Sequence, residues 1–397
     1  MTSTVGRSLT RLVPGTVVGN RFQVTNQAGK GGMGVAYLAQ DLQTGKQVIV
    51  KVPQLPGTEE LKRDAYNRTI SRFVREADSL RTLDHPNIPK VVDDGKYGSV
   101  PYIAMTYIRG RKLADYRAVN VPRYAELAAI GTSVAMALAA CHRGGILHRD
   151  LNPDNLMVGE NGVVYVIDFG IALPLGEDAT RHTRDFVGTD EYAPPERFRK
   201  GKQTEKSDLY NLGCVFYFLL AARPPFIGDG EKSCEKQHLE DLPVPPSQFV
   251  NHMPGELEAL TLGLLAKNVE DRPEIDDVLT TLKPHLPLTG APEPNPVLTP
   301  DVTIPYRIPE SVRPPEAPAS SRTRATKPFQ PRRRQDFLTD SEITSTIERA
   351  TTEHGSGDTA AAARTLTDLR RRAVESFGTG NHKLDSIESA MNLLGGR

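Results

Sequence analysis

The chain has 397 residues, of which 38% are hydrophobic, and its 49 basic and 49 acidic side chains give a formal charge of zero. A neutral chain has no overall field that would attract nucleic acid or an anionic membrane, so a function based on either is not expected. Three widely spaced cysteines, Cys141, Cys214 and Cys234, and apolar runs shorter than the roughly 20 residues that span a bilayer predict a cytoplasmic protein without disulfides, a zinc site or a transmembrane segment.

The N-terminal part of the sequence predicts a small lobe rich in β-strands. We expect residues 1–20 to form an extension, after which strand-like residues 21–27 lead into the glycine loop Gly29-Lys30-Gly31-Gly32-Met33-Gly34. Because glycine lacks a Cβ atom, the backbone N–H groups of such a loop can approach phosphates closely. Residues 35–39 predict a returning strand, so the loop is expected to be a hairpin lid. By itself it is weak support for nucleotide binding.

Lys51 and Glu76 are candidate partners on neighbouring elements. Residues 47–52 alternate as a strand, with the valines on one face and Ile49 and Lys51 on the other. A lysine on a strand is usually exposed to solvent. A helix is predicted over 59–83, and Glu76 lies beside its apolar stripe. Such a carboxylate either reaches solvent or meets a cation, and Lys51 is the obvious candidate.

The pattern changes from strands to helices after residue 110. Two short strands at 91–92 and 102–105 precede a compact connector at 106–110, which we interpret as a hinge. The chain then predicts a second, mainly helical lobe. Its expected helices lie at 123–141, 207–220, 256–265 and 275–282.

The segment His148-Arg149-Asp150-Leu151-Asn152-Pro153-Asp154-Asn155 concentrates charged and amide side chains in eight residues. The triplet Asp168-Phe169-Gly170 follows the apolar run 163–167, as expected for a carboxylate at the end of a buried strand. Carboxylate and amide oxygens are suitable ligands for Mg²⁺. Together with the glycine loop and Lys51, these residues predict phosphoryl transfer from ATP.

The order and spacing of these motifs, completed by Gly188-Thr189 and Pro194-Pro195-Glu196, resemble those of the bacterial eukaryotic-like Ser/Thr protein kinase family over about residues 21–282. The resemblance implies an α+β, bilobal protein-kinase fold. A β-rich N-lobe with one helix would cover 21–105, a hinge 106–110 and a mostly helical C-lobe 111–283. The implied reaction is transfer of the γ-phosphate of ATP to protein hydroxyls, with Mg²⁺ or, in its place, Mn²⁺.

The resemblance also implies roles for individual residues. Lys51 would hold the α- and β-phosphates and pair with Glu76. Asp150 would accept the proton of the substrate hydroxyl, while Asn155 and Asp168 would bind the metal. The residues implied for nucleotide binding line the glycine loop, the adenine pocket and the hinge: Gly29, Lys30, Gly31, Gly32, Met33, Gly34, Ala36, Ile49, Lys51, Met105, Thr106, Ile108 and Met157.

Other implied roles are structural or regulatory. Thr183, and next Thr180, would accept an activating phosphate beside Arg149, whose guanidinium binds phosphate well, although both threonines are also acceptable as solvated loop residues. Thr189 is expected to contact Asp150. The implied supporting set comprises a spine of Leu80, His148 and Phe169 anchored by Asp208, and an ion pair between Glu196 and Arg272.

The main departure from the family pattern is Asn152, because the family usually has a lysine there that touches the transferred phosphate. A neutral amide removes one source of charge compensation. This leaves an alternative function from a different class, a nucleotide-binding scaffold with little or no catalysis. Two smaller departures are also present. Pro194 stands where the family has alanine, and of the two residues expected to cover the adenine, Ala36 is smaller and Ile49 larger than in the family.

The composition shifts at Pro284. Frequent prolines and few large apolar side chains predict a disordered or extended linker with a basic end at 284–336, followed by a helical segment at 337–397. The C-terminal helices look too short for an independent core, so we expect loose attachment or binding to a partner through the linker or the helices. Deletion after Leu282 is expected to leave catalysis in place.

Overall fold

The computed structural model describes residues 12–30, 34–53, 70–71, 73–74, 77–168, 190–312, 340–356, 358–377, 387–391 and 393. The chain divides into two compact units, Met1–Glu316 and Ala317–Arg397. The first unit contains a β-rich N-lobe and a helical C-lobe, as the sequence predicts.

The N-lobe is built on a six-stranded antiparallel sheet with strand order β1-β2-β3-β4-β6-β5. Alternation along β4 buries Val48 and Val50 in the N-lobe core and turns Ile49 and Lys51 to the opposite face, as predicted. The strands are β1 Val17–Val18, β2 Phe22–Lys30, β3 Gly34–Asp41, β4 Gln47–Pro53, β5 Val91–Tyr97 and β6 Val100–Thr106.

Two further features complete the N-lobe. The predicted helix is present as α1, whose described helical residues lie between 70 and 81, and its Phe73 and Ala77 pack against Ile103 of β6. Residues 12–20 of the predicted N-terminal extension, 1–20, belong to the N-lobe. Strand β1 pairs with β2, and Leu12 and Val18 are buried in the core of the sheet.

The C-lobe surrounds two helices that are buried on nearly all sides, α3 and α5. They approach closely because Gly131 of α3 faces the ring of Phe216, where an added Cβ would lie 2.6 Å from ring carbons. The helices are α2 Leu113–Val119, α3 Tyr124–Arg143, α4 Pro195–Phe198, α5 Glu205–Ala221, α6 Cys234–Glu240, α7 Gly255–Leu264 and α8 Ile275–Leu282. A small antiparallel sheet joins β7 Gly110–Lys112, β8 Leu156–Gly159 and β9 Val164–Val166.

Helix α3 is long and apolar enough to cross a membrane by length and composition. Most of its most apolar stretch, 72%, is buried inside the protein. Its hydrophobicity is therefore accounted for by its place in the C-lobe core, where it packs against α5 and α8.

Residues 284–312, which we call the strap, are ordered and pack on the C-lobe, so the prediction of a disordered linker is wrong for this part. Leu298 and Val302 are buried in the main hydrophobic core. Tyr306 packs against the same core, and its hydroxyl donates to the Ala129 carbonyl oxygen of α3 at 3.0 Å. Leu298, Val302 and Tyr306 thus attach the strap to the C-lobe core, which composition alone does not reveal.

Polar groups of the strap form hydrogen bonds with one another. Arg307 donates to Asp301 at 2.5 Å in a buried ion pair, and Thr303 donates to the same carboxylate from its backbone and its hydroxyl. The strap includes the one-turn helix α9 Ile304–Arg307. Its Asp301 carbonyl oxygen meets the β8–β9 turn at Gly162, where an added Cβ would lie 2.2 Å away. The rest of the predicted linker, 313–336, lies outside the described residues.

The second unit contains the helices α10 Asp340–Gly355 and α11 Thr359–Phe377, and a further helical stretch at 387–391. The predicted helical segment is confirmed in its described parts. The expectation that these helices form no core of their own is wrong, because the described parts bury a shared apolar cluster: Ile343, Ala350, Ala362, Leu366, Leu369, Ala373, Ile387 and Ala390.

Candidate active site

The catalytic loop is shaped by the amide side chains of Asn152 and Asn155. A single 3₁₀ turn, Pro153–Asn155, follows Asn152, whose side-chain oxygen accepts from the backbone N–H groups of Asp154 and Asn155 at 2.9 and 3.2 Å. The Asn155 amide nitrogen donates to the carboxylate of Asp150 at 3.0 Å and to its carbonyl oxygen at 2.7 Å. The predicted catalytic carboxylate is therefore oriented by the predicted metal ligand.

Asp208, predicted to anchor the spine, holds the start of this loop. Its fully buried carboxylate accepts from the backbone N–H groups of His148 at 2.9 Å and Arg149 at 2.7 Å. Burial raises the pKa of Asp208, but hydrogen bonds and nearby positive charge, chiefly from His142, outweigh that effect and leave the pKa lowered. The carboxylate is thus ionised and able to fix a backbone in which Arg149 adopts a positive φ of 65°.

His142 is a supporting residue that the sequence analysis missed. Its Nε2 atom lies 2.9 Å from the Asp208 carboxylate, at the C-terminal end of α3. The available signal was its position six residues before His148, at the end of a helix that leads into the catalytic loop. A histidine in an apolar helix is usually a core residue, so no local pattern marks His142 as functional.

Asp168, which follows strand β9, lies next to the catalytic loop. The N–H of Ile167, which follows this strand, donates to the Asn155 carbonyl oxygen at 2.9 Å, so the strand's end is tied to the catalytic loop. Asp168 adopts a positive φ of 50°. Its carboxylate lies 3.0 Å from Lys51 Nζ of the N-lobe, and the charge of Lys51 is the largest cause of its lowered pKa. The ionised pair links the two lobes at the predicted site.

The residues predicted around adenine lie on the expected elements. Ala36 is opposite Lys51, and Ile49 is opposite Met105, on the partly exposed face of the N-lobe sheet. The Thr106 N–H donates to the Lys90 carbonyl oxygen, so its own carbonyl oxygen is the group suited to accept from adenine. Of the other predicted residues, Ile108 follows Thr106 in the hinge and Met157 lies on β8.

The donor set fits a magnesium ion. Because the Asn155 amide nitrogen is used by Asp150, its side-chain oxygen is the atom that can act as a ligand, beside the Asp168 carboxylate. Both are hard oxygen donors, which Mg²⁺ prefers together with water and phosphate oxygens. Among the described residues no group of three or more His, Cys, Asp or Glu side chains could hold a metal.

The predicted ion pair between Glu196 and Arg272 is confirmed. Two nitrogens of Arg272 donate to the two carboxylate oxygens of Glu196, each at 2.8 Å, and Ser207 Oγ donates at 2.5 Å. Burial raises the Glu196 pKa, and the hydrogen bond and charge of Arg272 reverse this, leaving the pKa lowered. The ionised pair joins α4 to the loop before α8. This fixes the segment that leads from the active site into α5.

Several predicted residues lie outside the part of the chain that the structure describes, so their roles remain predictions. The spine is described only at Leu80 and His148, both buried. The residues concerned are Gly31, Gly32, Met33, Glu76, Phe169, Gly170, Thr180, Thr183, Gly188 and Thr189.

Two lobes joined by a hinge, with Lys51 of one reaching the carboxylate of Asp168 on the other, define a phosphotransferase fold of the kinase type. Residues 22–282 match the protein kinase domain family. Since that match covers more than half of the sequence, the chain belongs to the protein kinase family.

The chain is similar to several curated bacterial proteins. The probable serine/threonine-protein kinase PknB of Bifidobacterium longum is 34% identical over 300 residues, which cover 70% of this chain and 42% of that protein. The serine/threonine-protein kinases PknB of Mycobacterium leprae and Mycolicibacterium smegmatis are 37% and 38% identical over 259 and 263 residues, each covering 64% of this chain and 41% of the relative. The chain thus spans about two-fifths of the length of these relatives.

Proposed function

We propose that this chain is a Ser/Thr protein kinase that transfers the γ-phosphoryl group of ATP to a hydroxyl group of a protein substrate. The observation that carries the proposal is the meeting of two pairs, Lys51 with Asp168 and Asn155 with Asp150, at the junction of the lobes. The names of the bacterial relatives, all serine/threonine-protein kinases, support the choice of substrate hydroxyl.

The residues divide the work by position. Asp150, oriented by Asn155, accepts the proton of the substrate hydroxyl, whose oxygen forms a bond to the γ-phosphorus. The bond from that phosphorus to the bridging oxygen breaks, and ADP leaves with the electron pair. Lys51 binds the other phosphates as a point charge. Asn155 and Asp168 would hold Mg²⁺, which neutralises phosphate charge when bound.

The scaffold alternative rests on Asn152 alone, and the structure gives that residue a clear use. Its side chain caps the 3₁₀ turn and so maintains the loop that presents Asp150 and Asn155. Because Asn152 maintains the geometry of the catalytic loop, its presence does not argue against catalysis.

A phosphotransfer assay with radiolabelled ATP tests the proposal. Replacement Asp150→Ala removes the proton acceptor and should lower kcat by about 10²- to 10⁴-fold. Glu160→Gln is the matched control, since it neutralises an exposed carboxylate at the β8–β9 turn, and should leave kcat unchanged. Equal transfer by the wild-type protein and Asp150→Ala would reject the proposal.

The predicted cytoplasmic location is also kept as a proposal. Cys141, Cys214 and Cys234 are free, and the first two are buried, which fits a reducing compartment. Thiol labelling of denatured, unreduced protein taken from cells should count three free thiols. A disulfide-linked pair would contradict this location.

A further inference from the structure

A cluster of positive charges lies on the surface between α4 and α5. Residues 197–206 contain five basic side chains and one acidic side chain, in a chain whose total formal charge is zero. One of the five, Lys206, is already paired, because its Nζ atom lies 2.6 Å from the Glu274 carboxylate. The other four, which we call the basic loop, are Arg197, Arg199, Lys200 and Lys202.

The positive charge of the basic loop is not neutralised within the described part of the chain. Arg199, Lys200 and Lys202 are exposed, and Arg197 is partly exposed. Among the described residues, none of these four side chains takes part in an ion pair. Like charges held close together repel one another, so binding of an anion at this surface is electrostatically favourable.

A structural role at the end of α4 does not account for these cations. Cations near the C-terminus of a helix are stabilised by the helix dipole. Helix α4 has only four residues, Pro195–Phe198, so few peptide dipoles are aligned in it. Lys200 adopts a positive φ of 55°, a conformation that glycine adopts without strain, although Gly201 is the next residue. A lysine at this position therefore adds a charge at the expense of backbone strain.

The backbone of the basic loop is held in place by hydrogen bonds. The N–H of Gly201 donates to the Glu196 carbonyl oxygen at 2.8 Å, and the N–H of Lys200 donates to the Arg197 carbonyl oxygen at 3.2 Å. This is the Schellman pattern that ends many helices. Glu196 is itself held by its buried ion pair with Arg272. Because the backbone is already ordered, a ligand that binds the loop loses less free energy to ordering.

Helix α5 places α4 and the basic loop beside the catalytic loop. Ser207 donates to Glu196 of α4, and the next residue, Asp208, accepts from the backbone N–H groups at the start of the catalytic loop. Asn211, three residues later, donates to the carbonyl oxygen of Tyr192, which precedes α4. Side chains three residues apart in a helix lie about 5–6 Å from each other. The segments before and within α4 therefore meet the catalytic loop at the start of α5.

We propose that the basic loop binds an acidic stretch of the protein substrate, rich in Asp and Glu, on the same polypeptide as the acceptor hydroxyl. This inference rests on the proposed kinase function and specifies its substrate class. Carboxylates are the natural partners of arginine and lysine side chains. An extended peptide advances about 3.3 Å per residue, so a stretch within about ten residues of the acceptor spans roughly 30 Å. A protein substrate is favoured over a membrane or a nucleic acid, because only the protein substrate must also reach the adjacent catalytic loop.

Fluorescence anisotropy with the full chain tests this contact. Two labelled peptides share one threonine acceptor and carry either a run of glutamates, the Glu peptide, or a run of glutamines, the Gln peptide. The triple variant Arg199→Ala/Lys200→Gly/Lys202→Ala should weaken binding of the Glu peptide about tenfold at low salt, since several exposed ion pairs are lost together. The difference should shrink as added salt screens the charges. Wild type should bind the Gln peptide more weakly than the Glu peptide.

A charge-matched control and a single variant separate binding from folding. Lys46→Ala/Lys96→Ala/Lys283→Ala removes the same charge from exposed lysines elsewhere and should bind the Glu peptide as wild type does. Lys200→Gly alone removes one charge and fits the positive φ, so its unfolding midpoint should stay the same or rise. Its Kd for the Glu peptide should rise about threefold. A purely structural Lys200 would leave that Kd unchanged.

Steady-state phosphotransfer to the same peptides separates docking from catalysis. The triple variant should raise the KM for the Glu peptide about tenfold and leave its kcat unchanged, because the lost contacts are equally present in the ground state and the transition state. The KM for the Gln peptide should not change. Equal affinity of wild type and the triple variant for the Glu peptide would overturn the inference. So would loss of binding to phosphatidylserine vesicles or duplex DNA while binding of the Glu peptide is retained.

Failure of this inference and failure of the proposed function give different results. If wild type binds the Glu peptide through the basic loop but transfers no phosphate to it, the contact is upheld while the kinase function fails. If wild type phosphorylates both peptides with the same KM, the kinase function is upheld and the inference is wrong.

Discussion

The C-lobe and the strap each contain a buried Arg–carboxylate pair, and the two pairs act over very different distances in the chain. Glu196 and Arg272 are 76 residues apart, and their pair joins α4 to the loop before α8. Asp301 and Arg307 are six residues apart, and their pair folds a short segment on itself. Each carboxylate receives a further side-chain hydrogen bond, from Ser207 in the first pair and Thr303 in the second.

The difference shows that the same chemistry serves two purposes. The long-range pair holds together two segments of the C-lobe that are far apart in sequence, whereas the short-range pair holds the local turn of the strap. The strap contacts the C-lobe core through the apolar side chains of Leu298, Val302 and Tyr306. The comparison predicts that removing the strap and removing either arginine have different consequences.

The largest expected effect is that of truncation after Leu282, which removes the strap. Burial of a large apolar side chain stabilises by about 1.5–3 kcal/mol, so loss of Leu298, Val302 and Tyr306 should lower the free energy of unfolding by on the order of 5 kcal/mol. This revises the expectation that such a truncation is harmless. Denaturant unfolding measures the change, and activity at 37 °C should fall with it.

Truncation after Val312 is the matched control, since it keeps the strap and removes the second unit. It should unfold at the same denaturant concentration as the full chain for the transition of the first unit. Equal stability of the two truncated proteins would show that the strap contributes nothing.

Next in size are the variants Arg272→Ala and Arg307→Ala, each of which leaves a buried carboxylate without its partner. Such losses cost about 3–5 kcal/mol. Both should lower the free energy of unfolding by similar amounts. Only Arg272→Ala should also reduce kcat in the protein that remains folded, because Glu196 lies on the segment that leads from the active site into α5. An equal kcat loss in Arg307→Ala would remove the distinction between the pairs.

Low pH should lower the free energy of unfolding through a buried histidine near the pair of Glu196 and Arg272. His238 is fully buried, its Nδ1 lies 2.8 Å from the Tyr210 hydroxyl, and Arg272 stacks on the Tyr210 ring. Burial, with the charge of Lys267, lowers the pKa of His238 to about 3. In the unfolded chain the pKa of this histidine is about 6.5. Between these values only the unfolded chain binds the proton, so stability is complete above pH 6.5 and falls as the pH decreases.

The expected loss between pH 6.5 and pH 5 is about 2 kcal/mol, from up to about 1.4 kcal/mol per pH unit. Unfolding at both pH values should show a smaller loss in His238→Asn than in wild type. The exposed His252 provides the comparison variant, His252→Asn, which should behave as wild type. An unchanged pH dependence in His238→Asn would mean that another group causes acid unfolding.

The smallest effect is expected for Tyr306→Phe in the strap. The ring stays buried, but the hydroxyl loses its hydrogen bonds to Ala129 and Ser133, each 3.0 Å long. Such a loss costs about 1 kcal/mol, and the Ala129 carbonyl oxygen still has its place in α3. A change above the cost of Arg307→Ala would mean that these two bonds, and not the ion pair, hold the strap.

The fold and much of the site were predictable from the sequence because phosphoryl transfer demands particular atoms in a particular order. Asp150, Asn155 and Asp168 lie in short motifs, and alternation alone placed Lys51 on the face of β4 away from the core valines. The pair of Glu196 and Arg272 came only from family resemblance, because a separation of 76 residues leaves no local pattern.

The missed features have a common physical cause. The strap has a low apolar content, and its order depends on where three large residues lie relative to α3, a tertiary property. His142 likewise gains its meaning only when α5 brings Asp208 to it.

The hydrogen bond from Tyr306 to α3 attaches the chain to the C-lobe at a point beyond the end of the kinase domain match. The family match ends at residue 282, yet the backbone is still fastened to the catalytic lobe more than twenty residues later. The chain beyond residue 312 therefore follows the strap and not the end of α8 directly. A segment joined after residue 312 therefore begins at an ordered part of the chain.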